Sequence, residues 1–339
     1  MPAEWEPHAA TWLAWPHEKT DWPGKFGPIP WVYADIVRRL AEVERVRILV
    51  ENTNAERAAR RILRKSGANL SAVDFFPVPT NRGWTRDFGP IFVRKDTGEC
   101  AVTNWRFNGW AKYDDWKKDE AVNDKLASKL KWRVWRPEFR GRPVVLEGGS
   151  IEVNGRGTLL TSEECLLSPI QARNPGLSRA QLEGILHDYL GATHVVWLKH
   201  GIAGDDTHGH VDDLARFVTA TTVVTALEDN PAEENYKPLQ ENYLLLREMK
   251  DQDGQPLQVE TLPMPEPVFF DKQRLPASYA NFYIANRTVF VPTFNDPNDR
   301  VALTKLASLF PTRKIIGIPC LDLVLGLGTL HCMTQQEPA

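Results

Sequence analysis

Apolar positions along the chain fall into short runs that alternate between two periods. Residues 1–30 hold six prolines, which excludes a long helix and predicts an extended arm with a short strand at 9–14. From 31 to 43, Ile36, Leu40 and Val43 share one helical face. Val-Arg-Ile-Leu-Val at 46–50 reads as a buried strand. Thr53-x-x-Glu56 has the form of a capping box, opening a helix that turns Ala55, Ala59, Ile62 and Leu63 inward and stops at Gly67. A strand at 73–78 completes a β-α-β unit with short loops, which predicts an α/β or α+β chain.

The alternation continues to the end of the chain. Strands are predicted at 91–94 and 101–105, and a helix at 120–130. A hairpin joins 144–153 to 157–161 through Asn154-Gly155. Ser178-x-x-Gln181 caps a helix ending at Gly191, before a strand at 195–198. Strands at 214–220 and 222–227 precede a helix at 234–249. A second hairpin, 281–285 with 288–292, turns at Asn286-Arg287, and a helix at 301–310 leads to a strand at 314–318. Turns rich in Gly, Asp or Asn enter these strand pairs. With Asp87, Glu147, His210, Tyr279 and Cys332 as markers, the steps are 60, 63, 69 and 53 residues. Four or five similar units around an axis would bring all these turns to one mouth. No low-complexity linker breaks the chain, and no domain boundary is read within 1–339.

Composition narrows the function. The chain is 42% apolar and 25% charged, with a net charge of −3, so it has no global field for nucleic acid or an anionic membrane. The cluster Arg60-Arg61-Ile-Leu-Arg64-Lys65 reads as a solvated helix face. No run approaches the roughly 20 apolar residues of a membrane span, and the N-terminus lacks the pattern of a signal peptide. Cys100, Cys165, Cys320 and Cys332 are scattered without a CxxC pair, which argues against a zinc knuckle or a disulfide framework. A reduced, cytoplasmic protein is expected.

The candidate chemistry lies on the turns. Gly326 and Gly328 lead into His331-Cys332, placing a possible nucleophile behind residues that let backbone approach closely. Asp87 precedes Gly89-Pro90, and Glu147 ends the apolar run 144–146. An aspartate there is often only a turn-former, whereas a carboxylate ending a buried strand needs a partner. The densest stretch is 204–213. His208, His210 and Asp212 form an HxHxD run that fits a metal-dependent hydrolase. Alternatively, His210 and Asp212 alternate along a strand, setting a proton carrier beside an anion. The remaining histidines supply no second ligand motif.

A thiol, an imidazole and three carboxylates suit a guanidinium. Such a cation is charged at any working pH and is matched by carboxylates. Its carbon is a poor electrophile, which a thiolate can attack to form a covalent adduct while the imidazole moves protons. The three acids disfavour a free thiolate, so Cys332 is expected to ionise with substrate bound or with His210 protonated.

A set of ordered motifs that match one known family spans nearly the whole chain. The matching motifs are Pro2-Ala-Glu-Trp-Glu-Pro-His8, Thr11-Trp-Leu-Ala-Trp-Pro16 and Trp84-x-Arg86-Asp87-x-Gly89-Pro90. They continue with Leu146-Glu147-Gly148-Gly149-Ser150-Ile151, Thr161-x-Glu163-Glu164-Cys165, Gly209-His210-Val211-Asp212, 277–286 and His331-Cys332-x-Thr334-Gln335-Gln336-x-Pro338. By these motifs the sequence resembles the agmatine deiminase family, in the bacterial peptidylarginine-deiminase-like group of guanidine-modifying enzymes. The resemblance implies a five-bladed, pseudo-fivefold α/β propeller with a central active site, 1–339 forming a single catalytic domain of five α/β repeats. It makes Cys332 the nucleophile and His210 the acid/base. Asp87 and Asp212 would grip the guanidinium, and Glu147 would orient substrate and His210. The implied reaction takes agmatine to N-carbamoylputrescine and ammonia through a thiouronium on cysteine. No metal or organic cofactor is implied, and a homo-oligomer (dimer) is expected.

The substrate tail is less determined. Glu6, Trp84, Trp110 and Gly328 are candidate contacts for agmatine, whereas Arg82, Arg156 or Arg173 would clamp a carboxylate. Deimination of peptidyl-arginine or another alkylguanidine is therefore the alternative. Leu327 and Thr329 depart from the family's Gly-Gly-Gly-Asn-Ile, and His208 is an additional imidazole.

Overall fold

The computed structural model describes residues 1–95 and 97–339. Its first sheet begins where the proline-rich opening turns extended. Strand His8–Ala14 pairs in parallel with Arg45–Val50, which pairs in parallel with Val73–Pro77. Parallel neighbours need crossovers, supplied by helices Ile29–Leu40 and Thr53–Lys65. The other edge of His8–Ala14 takes the last strand, Gln335–Pro338, antiparallel. Head and tail of the chain therefore share one sheet.

Four more sheets follow a single plan: an antiparallel pair, then a helical crossover to a third strand parallel to the second. Ile91–Arg94 and Cys100–Thr103 are followed by helices Lys117–Glu120 and Val122–Leu130 and strand Val134–Trp135. Glu152–Val153 and Thr158–Ser162 lead through Arg179–Leu190 to His194–Leu198. Ala215–Phe217 and Thr222–Leu227 lead through Tyr236–Glu248 to Gln258–Pro263. Tyr283–Ile284 and Thr288–Thr293 lead through Pro297–Leu309 to Lys314–Pro319. The turn rhythm read from sequence thus has a counterpart in repeated α/β sheets. The largest apolar cluster joins the first and last of these units, packing Trp12, Leu13, Tyr33 and Val37 with Phe290, Val291 and Met333.

Several local expectations change. The first helix begins at Ile29, with Pro30 in the first turn, where a missing N–H is not needed. The second is capped by Asn52, whose side chain accepts from Asn54 and Ala55, so Thr53 forms no capping box. The box at Ser178 and Gln181 does form. The strand expected over 144–153 is interrupted by the turn Gly148–Ser150, and only its last two residues pair with the returning strand. His210 and Asp212 do not alternate along a strand, because Val211–Asp213 is one turn of 3-10 helix. Strands Gln258–Pro263 and Gln335–Pro338 are not predicted; their polar sequences lack the apolar run or alternation that marks a half-buried strand. All four cysteines are free, and no helix among the described residues is long and apolar enough to cross a membrane.

Candidate active site

The site is assembled from turns at the ends of these sheets. The four-residue helix Thr85–Phe88 carries Arg86 and Asp87. Arg86 fastens it to the tail: its backbone N–H donates to the Cys332 carbonyl at 3.1 Å and its Nε to the His331 carbonyl at 3.2 Å. Asp87 is oriented through both oxygens. Oδ1 accepts from the Gly149 backbone at 3.0 Å and Oδ2 from the Trp110 indole at 2.8 Å. Gly149 is required for this approach. A Cβ there would lie 2.6 Å from His210 Nδ1 and 2.8 Å from Asp87 Oδ1.

Glu147 and His210 meet behind Asp87. His210 Nε2 lies 3.4 Å from Glu147 Oε2, and Nδ1 lies 3.8 Å from Asp87 Oδ1 and 4.0 Å from Asp212 Oδ1. Arg173 Nε donates to both Glu147 oxygens, at 3.1 and 3.2 Å. Cys332 Sγ stands 3.7 Å from Asp212 Oδ2 and receives the Asn281 amide at 3.1 Å. Thiol, imidazole and three carboxylates from distant turns therefore form one contiguous group.

Burial and charge set their protonation. Burial, then the charges of Asp212, Asp213 and Asp87, push the Cys332 thiol well up. Burial alone would lower the His210 imidazole; Asp87 foremost, with Cys165 and Glu147, holds it well above its ordinary value. Burial also raises Asp87, to about 6, with Asp212 and Glu147 adding to the rise against the opposing charge of His210. Glu147 is held below the usual range because Arg173, then His210, outweigh its burial. Asp212 is likewise held low, by His331 and then His210 and Arg216, against desolvation. These directions favour a neutral thiol, an imidazolium and carboxylates in the free site.

A cavity of about 780 Å³ opens onto this group, with Cys332, Asp87, Trp84 and Trp110 in its wall. Its charged lining is mainly acidic: Asp21, Asp87, Asp206 and Asp271 against Arg82. Arg82 is already paired with Asp21 and with Asp115, and Asp206 accepts from Lys112 and from Tyr113. Trp110 is held at a φ of 58°, a strained backbone that sets its indole both against the cavity and on Asp87.

Not every expected contact is here. Glu6 lies elsewhere, in a salt bridge with Arg94, and Arg156 lines a separate cleft. Arg173 is buried on Glu147 and offers no carboxylate clamp. Gly328 does approach the nucleophile: a Cβ on it would come within 3.2 Å of Cys332 Sγ and 2.9 Å of the Trp84 ring. Positive φ falls on Leu327, at 67°, rather than on the flanking glycines. Those glycines instead make room for the Trp22 and Trp84 rings.

The HxHxD reading fails on geometry. His208 points to Ser168 Oγ, 3.1 Å away, and faces Glu164 rather than His210. Among the described residues, the group with metal-ligand spacing is Glu147, Cys165 and His210, and there the Arg173 guanidinium already occupies the carboxylate.

Four supporting residues escaped the sequence reading: Glu4, Arg86, Asn281 and His331. Asn281 lies in a turn that the repeat rhythm had marked, and an amide at such a turn was the available signal. Its Oδ1 accepts from Thr329 Oγ1 at 2.7 Å and the His331 N–H at 3.0 Å, while its Nδ2 reaches the thiol. Thr329, a departure from the family pattern, thus braces the residue that touches sulfur.

A buried cysteine and an imidazole that both face one buried carboxylate, on repeated α/β sheets, define a candidate thiol-dependent enzyme for a cationic substrate. The chain belongs to the Porphyromonas-type peptidyl-arginine deiminase family, whose model matches residues 1–338. It is 34% identical to the agmatine deiminase of Pseudomonas aeruginosa, over 100% of this chain and 95% of that protein. The structure of Enterococcus faecalis agmatine deiminase superposes with a TM-score of 0.90 at 33% identity, covering 100% of this chain and 95% of the other. A cysteine-to-serine variant of Campylobacter jejuni agmatine deiminase with substrate bound gives 0.88 at 31%, covering 100% and 96%.

Proposed function

We propose that this chain hydrolyses the guanidinium of agmatine to a ureido group, releasing N-carbamoylputrescine and ammonia. The observation that carries the reading is the contiguity of Cys332, His210, Asp87, Asp212 and Glu147 at an acidic cavity. Asp87 and Asp212 take guanidinium N–H groups, and the arriving cation offsets the negative field that keeps the thiol protonated. The thiol proton is thereby released to solvent, His210 being already protonated, and the thiolate adds to the guanidinium carbon. His210 protonates one nitrogen, which leaves as ammonia, and a thiouronium remains on Cys332. His210, now neutral, takes a proton from water as its oxygen attacks the same carbon. Collapse expels the sulfur, which takes up the remaining hydroxyl proton, and yields the urea. Glu147, fixed by Arg173, keeps the ring aimed.

The tail of agmatine carries a second cation, and the excess of aspartates over arginine in the cavity favours it over a carboxylate. Five sheets of related plan support a five-bladed propeller around the site, in a single catalytic domain. Four free cysteines accord with a reduced, cytoplasmic enzyme, and a homodimer is its expected form.

The test is ureido-product formation from agmatine, free arginine, an arginyl peptide and shorter guanidines. Agmatine is expected to give the highest kcat/KM. Cys332→Ala is expected to abolish ammonia release while agmatine still binds; appreciable turnover by that variant would refute the covalent route. A preference for the arginyl peptide would move the assignment to protein substrates.

A further inference from the structure

His331 has no part in the chemistry above, yet both ring nitrogens meet carboxylates. Nδ1 lies 2.7 Å from Asp212 Oδ2, and Nε2 lies 2.8 Å from Glu4 Oε2. Ionised carboxylates only accept, so both contacts are satisfied when the ring donates from each side. The ring has little freedom to leave them. The His331 N–H donates to Asn281 Oδ1 at 3.0 Å, and its carbonyl accepts from Arg86 Nε at 3.2 Å.

Glu4 is anchored in turn. Its Oε1 accepts the Ile284 N–H at 2.8 Å and lies 3.0 Å from Arg216 Nη2, while Oε2 is 3.2 Å from Arg86 Nη2. Arg216 continues to Glu152 Oε2 at 2.9 Å. A buried chain of ionisable groups thus runs from Glu152, on strand Glu152–Val153, through Arg216, Glu4 and His331 to Asp212.

The consequence falls on Asp212. Its Oδ2 is occupied by His331, whereas its Oδ1 is buried with no hydrogen-bond partner. An unpaired buried carboxylate oxygen is costly and gains most from an incoming donor. Without the ring contact the carboxylate plane would be free to turn, and neither oxygen would be held in place for that donor.

We propose that His331 is a positioning residue of the deimination: clamped by Glu4, it fixes Asp212 so that one oxygen faces the ring and the other is kept for the substrate guanidinium. The proposal rests on the reading of the site as a guanidine deiminase. It assigns the Nδ1 contact to the reaction and the Nε2 contact to anchorage.

Two amide substitutions separate these contacts. In His331→Asn the amide nitrogen falls near the position of Nδ1 and can still donate to Asp212. In His331→Gln it falls near Nε2 and reaches Glu4 instead. Both are assayed, with thermal melts, on whichever guanidine the wild type hydrolyses fastest. His331→Asn is expected to stay within about 10-fold of wild-type kcat/KM, and His331→Gln to lose about 100-fold, mostly as a raised KM. Equal losses, or the reverse order, would overturn the role. If either variant fails to fold, Glu4→Gln decides: a KM raised about five-fold with kcat nearly unchanged supports the clamp, and an unchanged KM overturns it. Inactivity of the wild type on every guanidine would overturn the deiminase reading itself. Wild-type activity with indistinguishable variants would overturn only the part given to His331.

Discussion

Cys332 and His210 hold their protons for opposite reasons. The thiol is buried among acids that resist its charge, whereas the imidazole gains from the same acids. Because kcat/KM reports the free enzyme, it should rise from acid pH as Asp87 ionises near about 6 and continue rising as the thiol ionises. It should fall only where His210 loses its proton, at a pH above the ordinary histidine range. A pH profile with its maximum below 6 would contradict this assignment. Asp212→Asn removes one charge-assisted contact, and a loss of roughly 1.5–3 kcal/mol, or about 10- to 150-fold in kcat/KM, is expected. Steady-state kinetics on agmatine would measure it, and unchanged values would remove Asp212 from contact with substrate. These residues were legible in the sequence because thiols, imidazoles and carboxylates gathered on turns are uncommon without a use. Their supports were not. His331 and Glu4 lie 327 residues apart, and nothing local marks them as partners.

Single turns, more than long helices, set the tolerances of the site. The sequence puts Glu147-Gly148-Gly149 on a turn yet also carries a strand over 144–153; the structure keeps the turn, a 3-10 turn at Gly148–Ser150 under Arg86, Asp87 and His210. Gly149→Ala would force a methyl group against His210 and Asp87. We expect kcat/KM to drop at least about 100-fold, since misplacement by 1 Å can cost that much. Circular dichroism should stay near wild type, and retained activity would mean that the site can widen at this point. Gly148→Ala is different: its Cβ would lie 2.2 Å from the Arg86 carbonyl. Backbone cannot yield as a side-chain tip can, so loss of folded protein is expected from that variant. At Leu327 the chain accepts a left-handed backbone without glycine, and the side chain packs on the core next to the cavity. Sequence inspection placed the conformational demand on Gly326 and Gly328, because close approach and positive φ leave the same residue type behind.

At the scale of the molecule, the first and last segments close on each other. Gln335–Pro338 pairs with His8–Ala14, Gln336 Oε1 accepts from Arg86 Nη1 at 2.7 Å, and Glu337 Oε2 accepts from Trp12 Nε1 at 2.7 Å. Removing residues 335–339 should cost roughly 3 kcal/mol or more, the usual penalty for breaking a buried polar pair. For a chain of 339 residues this lowers the melting temperature by at least about 4 °C. An unchanged melt would make the tail strand dispensable. Glu4 adds a pH dependence. Arg216, His331 and Arg86 hold its carboxyl well below the usual range despite burial, so its contribution to stability is present above its unfolded value and is lost as pH falls through its folded one. Glu4→Gln should therefore narrow the gap between melts at neutral and acid pH.

The sequence by itself determined the alternation of strands and helices, the rhythm of turns, and which side chains could do chemistry on a guanidinium. Those properties are local, written in periodicity and residue type. Tertiary structure decided that His208 turns away from His210, that Glu6 is spent on Arg94, and that Glu4 reaches the site through His331. The physical reason is that sheet pairing and burial bring distant turns together. Which acid meets which base is then settled by the few ångströms in which desolvation and charge are strong.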